Sequence, residues 1–495
     1  MKKLLLIVLI FTEFATVKAQ NIDQAEKLKT LMLMVRRYYT DTVDEVKLTD
    51  AAITKILEEL DPHSAYIPKK DVSKTEEGLK GSFEGVGISF QLYKDTINII
   101  EVISGGPSEK VGLLAGDKIV TVNDSTVAGV KINQDGVVSK LRGPKGTKVN
   151  VGILRKNNLI HFTITRDKIP LYSIEASYMA SPTTGYIKLT KFAAPTMEEF
   201  YAAMNKLKAQ GMKNLILDLQ GNGGGYLKTA FELCNEFIKD TNQMIVYTEG
   251  KNSPREDYKA DGKGQVTSGN LVVLIDEGSA SASEILSGCM QDIDRAIVVG
   301  RRSFGKGLVQ KPFYFADGAM VRLTVSHYYT PSGRCIQRPY ENGKKDYYDE
   351  YTRRMKSGEL FGKDTIKFPN SLTYYTMNHR KVYGGGGVIP DVFVPLDTSW
   401  VSDYFSTIRR KGLLNNFCLE YTENNREKLL ATYPTGNDFV KNFTVNNNLL
   451  DELYAFAAKD SLMKDSTQIA KSKYVIENQV KALICKNLYD NSFSW

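Results

Sequence analysis

The sequence predicts a multidomain α/β protein, with a β-rich module ahead of an α/β core and helical regions at both ends. Length is the first observation, because 495 residues are too many for a single hydrophobic core. The second is a stretch from 81 to 166 in which short runs of β-forming residues are separated by Gly, Pro and Asp. The third is the stretch from 169 to about 395, in which predicted strands and helices alternate.

The composition is that of a globular protein and argues against several classes of function. Hydrophobic residues make up 42% of the chain and charged residues 25%, and the net charge of +8 is spread along it. No block of Lys and Arg alternates with aromatic residues, so nucleic acid is not expected as a partner. The five cysteines are far apart and form no CxxC pair or Cys/His cluster. We therefore expect neither a disulfide framework nor a metal site, and no cofactor.

The first twenty residues have the pattern of a secretory signal peptide. Two lysines precede an apolar run from Leu4 to Phe11, and Val17 and Ala19 are small enough for cleavage after residue 19. The run is too short to span a bilayer and is followed by Glu13. We therefore expect an exported protein, periplasmic or secreted, that keeps no membrane segment once the signal is removed.

The sequence predicts helices up to about residue 60 and a compact β-rich module from 81 to 166. Apolar residues recur at helical spacing up to residue 60 and are followed by LDPHSAYIP, a Pro-containing turn. His63 in this turn could be a ligand or a base, although a histidine in such a turn is more often structural. In the β-rich module one helix-like segment, INQDGVVSKLRG, interrupts the predicted strands GISFQLY, INIIEVI, KIVTVND, KVNVGIL and IHFTITR.

Two segments of the α/β region repeat a strand, a loop and a helix. NLILDL, at 214–219, precedes a glycine cluster, a helical pattern and the run MIVYTE. LVVLID, at 271–276, precedes a serine-rich loop, a helix from about 281 to 293 and the run AIVVG. If each unit returns to the same sheet, the loops at the carboxyl ends of the strands meet at one edge. That edge is where we expect the functional site.

The loop after the second strand holds three serines, Ser279, Ser281 and Ser283, at a predicted helix start. A side chain at this position lies beside unpaired backbone N–H groups that could stabilise an oxyanion. Glu284 stands where it would complete a capping box with Ser281. From this stretch alone, helix capping is the simpler interpretation.

A nucleophilic serine needs a base, and Lys306 is the candidate that the sequence offers. None of the four histidines lies in a convincing triad motif, and Ser281 lacks the flanking glycines of a GxSxG elbow. Lys306 follows Ser281 by 25 residues, enough for a helix and a strand to return to the same edge. Burial would have to lower the pKa of the lysine, and Gln310 could orient its amine. A solvated lysine in a glycine loop is the alternative.

Ser303 is a competing nucleophile, because Ser303 and Lys306 have the S-x-x-K spacing of penicillin-binding proteins and β-lactamases. That arrangement requires a helix, which Gly305 and Gly307 disfavour, and no KTG or SDN motif follows. We therefore prefer Ser281.

The glycine cluster GNGGG, at 221–225, matches neither of the common phosphate-binding motifs. A glycine turn before a helix could instead supply a backbone donor to an oxyanion. Gly224 is the donor that we expect.

The motifs, in their order along the chain, resemble those of carboxyl-terminal processing peptidases, also called tail-specific proteases. The resemblance runs from about residue 60 to 395. The matching segments are LDPHSAY, GSFEGVGISF, GGPSEKVGLLAGDKIVTVND, LRGPKGTKV, TRDKIPL, GYIKLTKF, LDLQGNGGGYL, DEGSASASEIL with MQD, VVGRRSFGKGLVQ, YYTPSGRCIQ and GGGGVIPDV. The resemblance implies a crotonase-like α/β protease core that carries an inserted PDZ domain.

The family uses a Ser-Lys dyad assisted by a glutamine, and the resemblance transfers each role to a residue of this chain. Ser281 is implied as the nucleophile, Lys306 as its base and Gln310 as the group that assists the base. The backbone N–H groups of Ala282 and Gly224 are implied as the oxyanion hole. This assignment selects Ser281 over Ser303.

The PDZ resemblance implies a site for the carboxyl terminus of a protein or peptide. The GVGIS segment would bind a terminal carboxylate through the backbone N–H groups of Val86, Gly87 and Ile88. The strand that follows would pair with the peptide, and the helix containing VVSKL would help to form a side-chain pocket.

The chain departs from the family pattern at three positions near these motifs. Gln220 stands where Arg is usual, Gly223 where Pro is common, and Cys335 where Ser is common. None of these positions belongs to the implied dyad.

The predicted organisation is a signal peptide, a helical region, a PDZ domain, a protease core and a second helical region, at 1–19, 20–80, 81–168, 169–397 and 398–495. The expected function is that of an endopeptidase that binds protein tails and cleaves through an acyl-enzyme. A PDZ adaptor that holds tails without cleaving them is the alternative. The terminal helical regions could mediate a homodimer or cover the active site.

Overall fold

The amino-terminal region forms a helical arm that precedes the β-rich module. The computed structural model describes residues 23–362 and 372–489, so the predicted signal peptide lies outside the described residues. The arm consists of α1 (Gln24–Tyr38), α2 (Glu45–Glu58), β1 (Ala65–Ile67) and α3 (Lys69–Lys80). The Asp23 side chain caps α1, and α1 buries none of its own residues. Among the described helices, none combines the length and the apolar character that crossing a membrane requires.

The β-rich module is an antiparallel sheet with a hydrophobic core of its own. Its elements are β2 (Ser82–Gly85), β3 (Ile88–Tyr93), β4 (Thr96–Val102), α4 (Pro107–Lys110), β5 (Lys118–Val122), β6 (Ser125–Thr126), α5 (Gln134–Leu141), β7 (Lys148–Arg155) and β8 (Asn158–Thr165). The strand order is β3-β4-β5-β7-β8, and β6 pairs with β5. Ile97, Ile119 and Ile153 are buried in this core, because alternate side chains of a strand face the same side. The five predicted strand runs and the predicted helix are all present.

A two-stranded ribbon joins the module to the core. The chain enters through β2 and leaves through β9 (Asp167–Pro170). The two strands pair antiparallel, with Ser82 opposite Pro170 and Gly85 opposite Asp167. The module is therefore inserted between two neighbouring points of the chain.

The α/β core is built on a six-stranded sheet whose central strands are parallel and buried. Its elements are β10 (Ile174–Ser181), β11 (Thr184–Leu189), α6 (Thr196–Ala209), β12 (Asn214–Asp218), α7 (Leu227–Asn235), β15 (Leu271–Ile275), α8 (Ala282–Asp292), β16 (Ile297–Gly300) and β21 (Val392–Phe393). The strand order is β10-β11-β12-β15-β16-β21, and only the β10–β11 pair is antiparallel. Leu217, Val273 and Val298, from three central strands, are fully buried. Parallel strands covered on both faces have this pattern.

A second, antiparallel sheet shares the hydrophobic core of the first. It contains β1 together with β13 (Met244–Gly250), β14 (Ser253–Lys259), β17 (Leu308–Tyr314) and β18 (Met320–Tyr329). Our prediction that the MIVYTE run returns to the parallel sheet is wrong, because that run is β13. The place beside β12 is taken by β15, and β13 pairs with β18 instead. The second unit, β15-α8-β16, forms as predicted.

The rest of the chain is mainly helical and ends in a separate bundle. Two short helices and a hairpin follow the second sheet, namely α9 (Gly343–Tyr348), α10 (Glu350–Lys356), β19 (Thr373–Tyr375) and β20 (Lys381–Tyr383). The carboxyl-terminal helices are α11 (Asp403–Arg410), α12 (Leu413–Thr432), α13 (Gly436–Asn442), α14 (Asn447–Ala458) and α15 (Ser466–Leu488). Ile408, Phe439 and Val480 lie in the hydrophobic cluster of this bundle, which is distinct from that of the α/β core.

Candidate active site

Ser281 lies at the junction between β15 and α8, at the carboxyl edge of the parallel sheet. Its backbone has φ = 56° and ψ = −113°, a conformation that costs energy for a residue with a Cβ atom. Such strain persists only where the surrounding structure holds it, and it clusters at functional sites. The sequence did not predict this strained backbone, because a strained serine turn is usually recognised by flanking glycines and Ser281 is flanked by alanines.

The glycine cluster packs directly against the turn that carries Ser281. A Cβ atom on Gly224 would lie 2.7 Å from Ala280 O and 2.9 Å from Ala282 N, and the residue has φ = 98°. Only glycine permits this approach. The carbonyl oxygen of Asn222 joins the two loops, since it accepts Ala280 N–H at 3.0 Å and Ser283 Oγ–H at 2.8 Å.

The two predicted oxyanion donors differ in whether their N–H groups already have a hydrogen-bond partner. Ala282 N–H, in the first turn of α8, has no hydrogen-bond partner within residues 23–362 and 372–489. Unpaired N–H groups are usual in this part of a helix. Gly224 N–H, by contrast, donates to Asn222 Oδ1 at 2.9 Å. Gly224 can therefore serve as a donor only if Asn222 releases it.

The carboxylate of Glu284 connects the two predicted catalytic residues. Its Oε2 atom accepts the backbone N–H of Ser281 at 2.8 Å and that of Lys306 at 2.8 Å. Its Oε1 atom accepts Gly305 N–H at 2.7 Å and Ser303 Oγ–H at 2.5 Å. Glu284 is fully buried, and burial raises its pKa while these hydrogen bonds oppose the rise. The predicted capping contact to Ser281 N–H thus also holds the loop of Lys306.

Tyr328, on β18, makes a second bridge between the same two segments. Its hydroxyl lies 3.1 Å from Ser281 O and 2.7 Å from Lys306 O, and it can donate to either. The side chain is buried, and burial raises the pKa of its hydroxyl well above the usual value. The hydroxyl therefore stays protonated as a donor. Tyr328 begins the YYTPSGRCIQ segment, but sequence reasoning gave it no role, because the segment does not indicate which backbone atoms its hydroxyl reaches.

Lys306 carries the properties that a lysine base requires. Burial and the charge of Arg322 lower its pKa to about 8, while Glu284 and Asp61 oppose the shift. Its Nζ atom donates to Gln310 Oε1 at 3.0 Å. The predicted contact between Lys306 and Gln310 is therefore formed.

The LDPHSAY turn contacts Gln310 and holds its side chain beside Lys306. Gln310 Nε2 donates to the backbone oxygen of His63 at 2.5 Å, which leaves Gln310 Oε1 facing Lys306. The pKa of His63 is lowered to about 3 by burial and by the charge of Lys306, so its ring is neutral. The ring lies 2.8 Å from the hydroxyl of Tyr347. Within the described ranges no cluster of three or more metal-ligating side chains occurs.

Ser303, the alternative nucleophile, is enclosed by hydrogen bonds. Its Oγ atom donates to Glu284 Oε1 and accepts Val388 N–H at 2.7 Å, and the side chain is fully buried. The chain from Ser303 to Lys306 is irregular rather than helical. The S-x-x-K geometry of one helical turn is absent from this described segment.

The predicted carboxylate loop of the β-rich module has two unused donors. Val86 O accepts Ser108 N–H at 3.1 Å and Ser108 Oγ–H at 2.6 Å, and Gly87 O accepts Ile103 N–H at 3.0 Å. The N–H groups of Val86 and Gly87 have no partner in the part of the chain that the structure describes. Ile88 begins β3, whose register places it opposite Val102.

Three segments of the chain match known protein families. Residues 85–165 match the PDZ domain, residues 183–343 match peptidase family S41, and residues 404–490 match a family of unknown function, DUF8443. The first match covers the β-rich module. The second covers β11, β12, β15 and β16 of the parallel sheet, with Ser281 and Lys306, but not the edge strands β10 and β21. The third covers the carboxyl-terminal helices.

The chain is also similar to whole proteins. The carboxy-terminal processing protease CtpA of Bacillus subtilis (strain 168) is 35% identical over 315 residues, which is 63% of this chain and 66% of that protein. CtpB of the same organism is 32% identical over 318 residues, 63% of this chain and 65% of that protein. The chain thus spans just under two thirds of the length of these curated relatives. A solved photosystem II D1 C-terminal processing protease is 26% identical, with 78% of this chain and 90% of that chain covered at a TM-score of 0.41.

Proposed function

Because the chain contains a peptidase family S41 domain and a PDZ domain and resembles carboxy-terminal processing proteases, we propose that it is a serine endopeptidase. It binds the carboxyl-terminal tails of proteins or peptides and cleaves them. Ser281 is the nucleophile, Lys306 the general base and Gln310 the group that assists the base. The observation that carries the proposal is that the backbones of Ser281 and Lys306 bind the same carboxylate oxygen of Glu284.

Lys306 acts first, as a neutral amine. A pKa of about 8 gives a useful fraction of free amine at mildly alkaline pH, whereas a solvated lysine would have very little. Nζ takes the proton of Ser281 Oγ while Oγ forms a bond to the carbonyl carbon of the scissile peptide. Negative charge develops on the carbonyl oxygen, and Ala282 N–H donates to it.

Lys306 then serves both halves of the reaction, because it passes on each proton that it takes. Its ammonium protonates the leaving amine as the C–N bond breaks, which leaves an ester between the substrate and Ser281. Water attacks this ester, Lys306 takes the proton from the water, and the new carboxyl end is released. Ser281 recovers its hydroxyl proton from Lys306.

The hydrogen bond between Lys306 and Gln310 belongs to the site without bound substrate. Nζ donates to Gln310 Oε1, so it must turn its lone pair towards Ser281 Oγ when substrate arrives. Catalytic hydrogen bonds often tighten only in the substrate complex. The amide of Gln310, held by the His63 carbonyl, limits how far the amine can move.

The PDZ domain selects the substrate by its chain end. The unpaired N–H groups of Val86 and Gly87 support the binding of a terminal carboxylate, to which Ile88 adds a third donor. The tail then extends along β3 as an added strand. A protein with an exposed, unstructured carboxyl terminus fits this mode, and a folded terminus does not.

We also propose that the protein is exported and works in the periplasm or outside the cell. The support is the charged and apolar pattern of the first residues, with small residues before position 20. Mass spectrometry of protein purified after export should give Gln20 as its first residue. An intact amino terminus at Met1 would contradict this part of the proposal.

The catalytic assignment is tested with an unstructured substrate that ends in an apolar tail. Ser281→Ala and Lys306→Ala should reduce cleavage to background. Ser283→Ala is the matched control at the same helix start, and this variant should keep most of the activity. The Ser283 hydroxyl donates to Asn222 O, and the bond from Ser287 Oγ–H goes to the Ser283 backbone oxygen, which the substitution leaves in place. Cleavage by the Ser281→Ala protein would overturn the assignment. A wild-type protein that binds tails but cleaves none of them would be an adaptor.

A further inference from the structure

The carboxyl-terminal helical domain presents a row of acidic side chains to the PDZ domain. Glu420, Glu423 and Glu427 are spaced by three and four residues on α12, so they lie on one face of that helix. We call these three residues the acidic row. Asn416, one turn before them, extends the same face and accepts a hydrogen bond from Gln91 of β3.

Each member of the acidic row binds a lysine of the PDZ domain. Glu420 Oε2 accepts Lys94 Nζ at 3.2 Å and also Tyr93 Oη–H at 3.2 Å. Glu423 Oε2 accepts Lys118 Nζ at 3.1 Å. The third pair is Glu427 with Lys156. The three lysines come from the β3–β4 turn, from β5 and from the β7–β8 turn, so α12 crosses the whole sheet.

The contact is more than a set of chance surface pairs. The side chains of Lys118 and Glu423 are only 37% and 23% exposed, whereas those of Lys156 and Glu427 are 75% and 82% exposed. Arg426, on α12, lies 3.7 Å from the position that a Cβ atom of Gly116 would occupy. Arg426 in turn donates to Asn487 O at 2.7 Å, which ties this face of α12 to α15.

The interface is nevertheless polar, and the two domains do not share a core. The hydrophobic clusters of the PDZ domain and of the carboxyl-terminal bundle are separate. Glu423 Oε1 is buried and has no hydrogen-bond partner among the described residues, which opposes the contact. An interface of this kind lacks the apolar burial that makes domain contacts permanent. Its strength should depend on charge and on salt.

Further contacts of the PDZ domain lie at and beside the ribbon of β2 and β9. This ribbon joins the domain to the core, and Arg142 of the domain pairs beside it with Glu77 on α3. Lys74 and Asp135 form a longer and exposed pair at 3.5 Å. The PDZ domain is thus held at a hinge on one side and by the acidic row on another.

We propose that the carboxyl-terminal helical domain is a docking partner for the PDZ domain, and that the acidic row holds the PDZ domain in one orientation through a reversible, salt-sensitive contact. For residues 404–490, which match a family without a known function, this is a specific role. A consequence rests on the proposed function. A docked PDZ domain keeps a bound tail at a fixed distance from Ser281, which raises the effective concentration of the scissile segment.

A carbodiimide cross-linker tests the contact in the intact protein without any substitution. The reagent joins a lysine to a carboxylate only when they touch, so mass spectrometry should find a Lys118–Glu423 cross-link at about 0.05 M NaCl. Its yield should fall at least about threefold at 0.5 M NaCl, where the Debye length is roughly 4 Å. The Lys464–Asp451 pair, 2.8 Å apart within the carboxyl-terminal domain, is the internal control and should change less.

Charge reversal tests whether the acidic row itself makes the contact. The triple variant Glu420→Lys, Glu423→Lys, Glu427→Lys should bring hydrogen exchange of the Gly116 turn and of β3 to the high-salt level. Adding the reversed lysines, Lys94→Glu, Lys118→Glu and Lys156→Glu, should restore protection. The matched control reverses Asp451, Glu452 and Asp460, three exposed carboxylates of the same domain that make no ion pair with the PDZ domain, and it should behave as wild type.

The outcomes separate this proposal from the proposed function. A Lys118–Glu423 cross-link that is absent at every salt concentration, or that is equally strong at all of them, overturns the reversible contact. Failure of the charge swap to restore protection overturns the role of the acidic row. If the swap works and yet no substrate is cleaved, docking stands and the catalytic proposal fails. For a protein that cleaves, the triple reversal should lower kcat/KM several-fold for a tailed substrate and leave a short tail-free peptide unchanged.

Discussion

Around Glu284 the contacts are buried, whereas along the acidic row of α12 many of them face solvent. Glu284 takes four hydrogen bonds with no exposed surface, and they fix the backbones of Ser281 and Lys306. The acidic row forms single ion pairs whose exposure rises from Glu423 to Glu427. Buried charges are costly to leave unpaired, while exposed pairs are screened by salt. Under the two proposals above, this difference corresponds to a rigid catalytic centre combined with a movable substrate-binding domain.

The strongest test of the rigid centre is Lys306→Arg. The variant keeps the positive charge and much of the length but cannot lose its proton at working pH, so kcat/KM should fall by at least about 100-fold. Kinetics with a tailed substrate measure the loss. Lys311→Arg, at an exposed position of the same strand region, is the matched control and should change activity little. Wild-type turnover by Lys306→Arg would mean that Lys306 is not the base.

Glu284→Gln should have the next largest effect. An amide group turns one acceptor into a donor, so two N–H or O–H groups that now bind the carboxylate would face another donor. We expect a loss of about 1–3 kcal/mol in the free energy of unfolding and a kcat/KM reduced by roughly 100-fold, because the serine and lysine lose their shared anchor. Chemical denaturation and kinetics measure the two effects.

Glu277→Gln is the control for that substitution, since Glu277 lies in the loop just before α8 and pairs with Arg301. It should leave kcat/KM within about twofold, as most substitutions away from such a site do. Equal losses in both variants would show that Glu284 has no particular role in holding the dyad.

Gln310→Glu should shift the pH profile of kcat/KM to higher pH without abolishing the activity. In the proposed mechanism the reactive form of Lys306 is the free amine, so kcat/KM should rise with pH through the pKa of about 8. A carboxylate beside Nζ stabilises the ammonium and raises that pKa, so the rising limb should move up by about 1 unit or more. The rate at pH 7 should fall accordingly. A pH profile that stays in place would contradict the contact between Gln310 and Lys306.

The smallest effects should come from single pairs of the acidic row. Lys118→Ala should lower the salt concentration at which the Lys94–Glu420 cross-link is half lost, because its pair is partly enclosed. Lys156→Ala should change that concentration little, since the Lys156–Glu427 pair is exposed. Cross-linking across a series of NaCl concentrations distinguishes the two variants. Equal effects would mean that exposure does not rank the contacts of the row.

Sequence patterns predicted the elements of the site better than their mutual support. The strand before Ser281, the helix after it and the distance to Lys306 are local features, and each was predictable from periodicity and spacing. The sheet to which β13 belongs was not predictable, because a short apolar strand has the same sequence pattern in the parallel sheet and in the antiparallel sheet. The strand beside β12 is β15, whereas MIVYTE, as β13, pairs with β14 and β18.

The supporting contacts were harder to predict because they join distant segments through single atoms. Glu284 was recognised as a helix cap for Ser281, yet its second partner, Lys306 N–H, is 22 residues away. Tyr328 and His63 lie in the recognised segments YYTPSGRCIQ and LDPHSAY, but neither segment indicates which distant atoms they contact. The acidic row does have a sequence pattern, since carboxylates three and four residues apart are visible on α12. Only the fold reveals that this face meets the lysines of the PDZ domain.

The ribbon of β2 and β9 makes the inserted domain exchangeable. Gly85 and Asp167 are paired neighbours, so the chain leaves and rejoins the core across one strand spacing of roughly 5 Å. Any compact domain whose termini lie that close could replace residues 86–166 without altering the core strands. Under the proposed function, a recombined protein of this kind would acquire the tail preference of the new domain and keep Ser281 and Lys306. Under the proposed docking, it would need lysines matched to the acidic row.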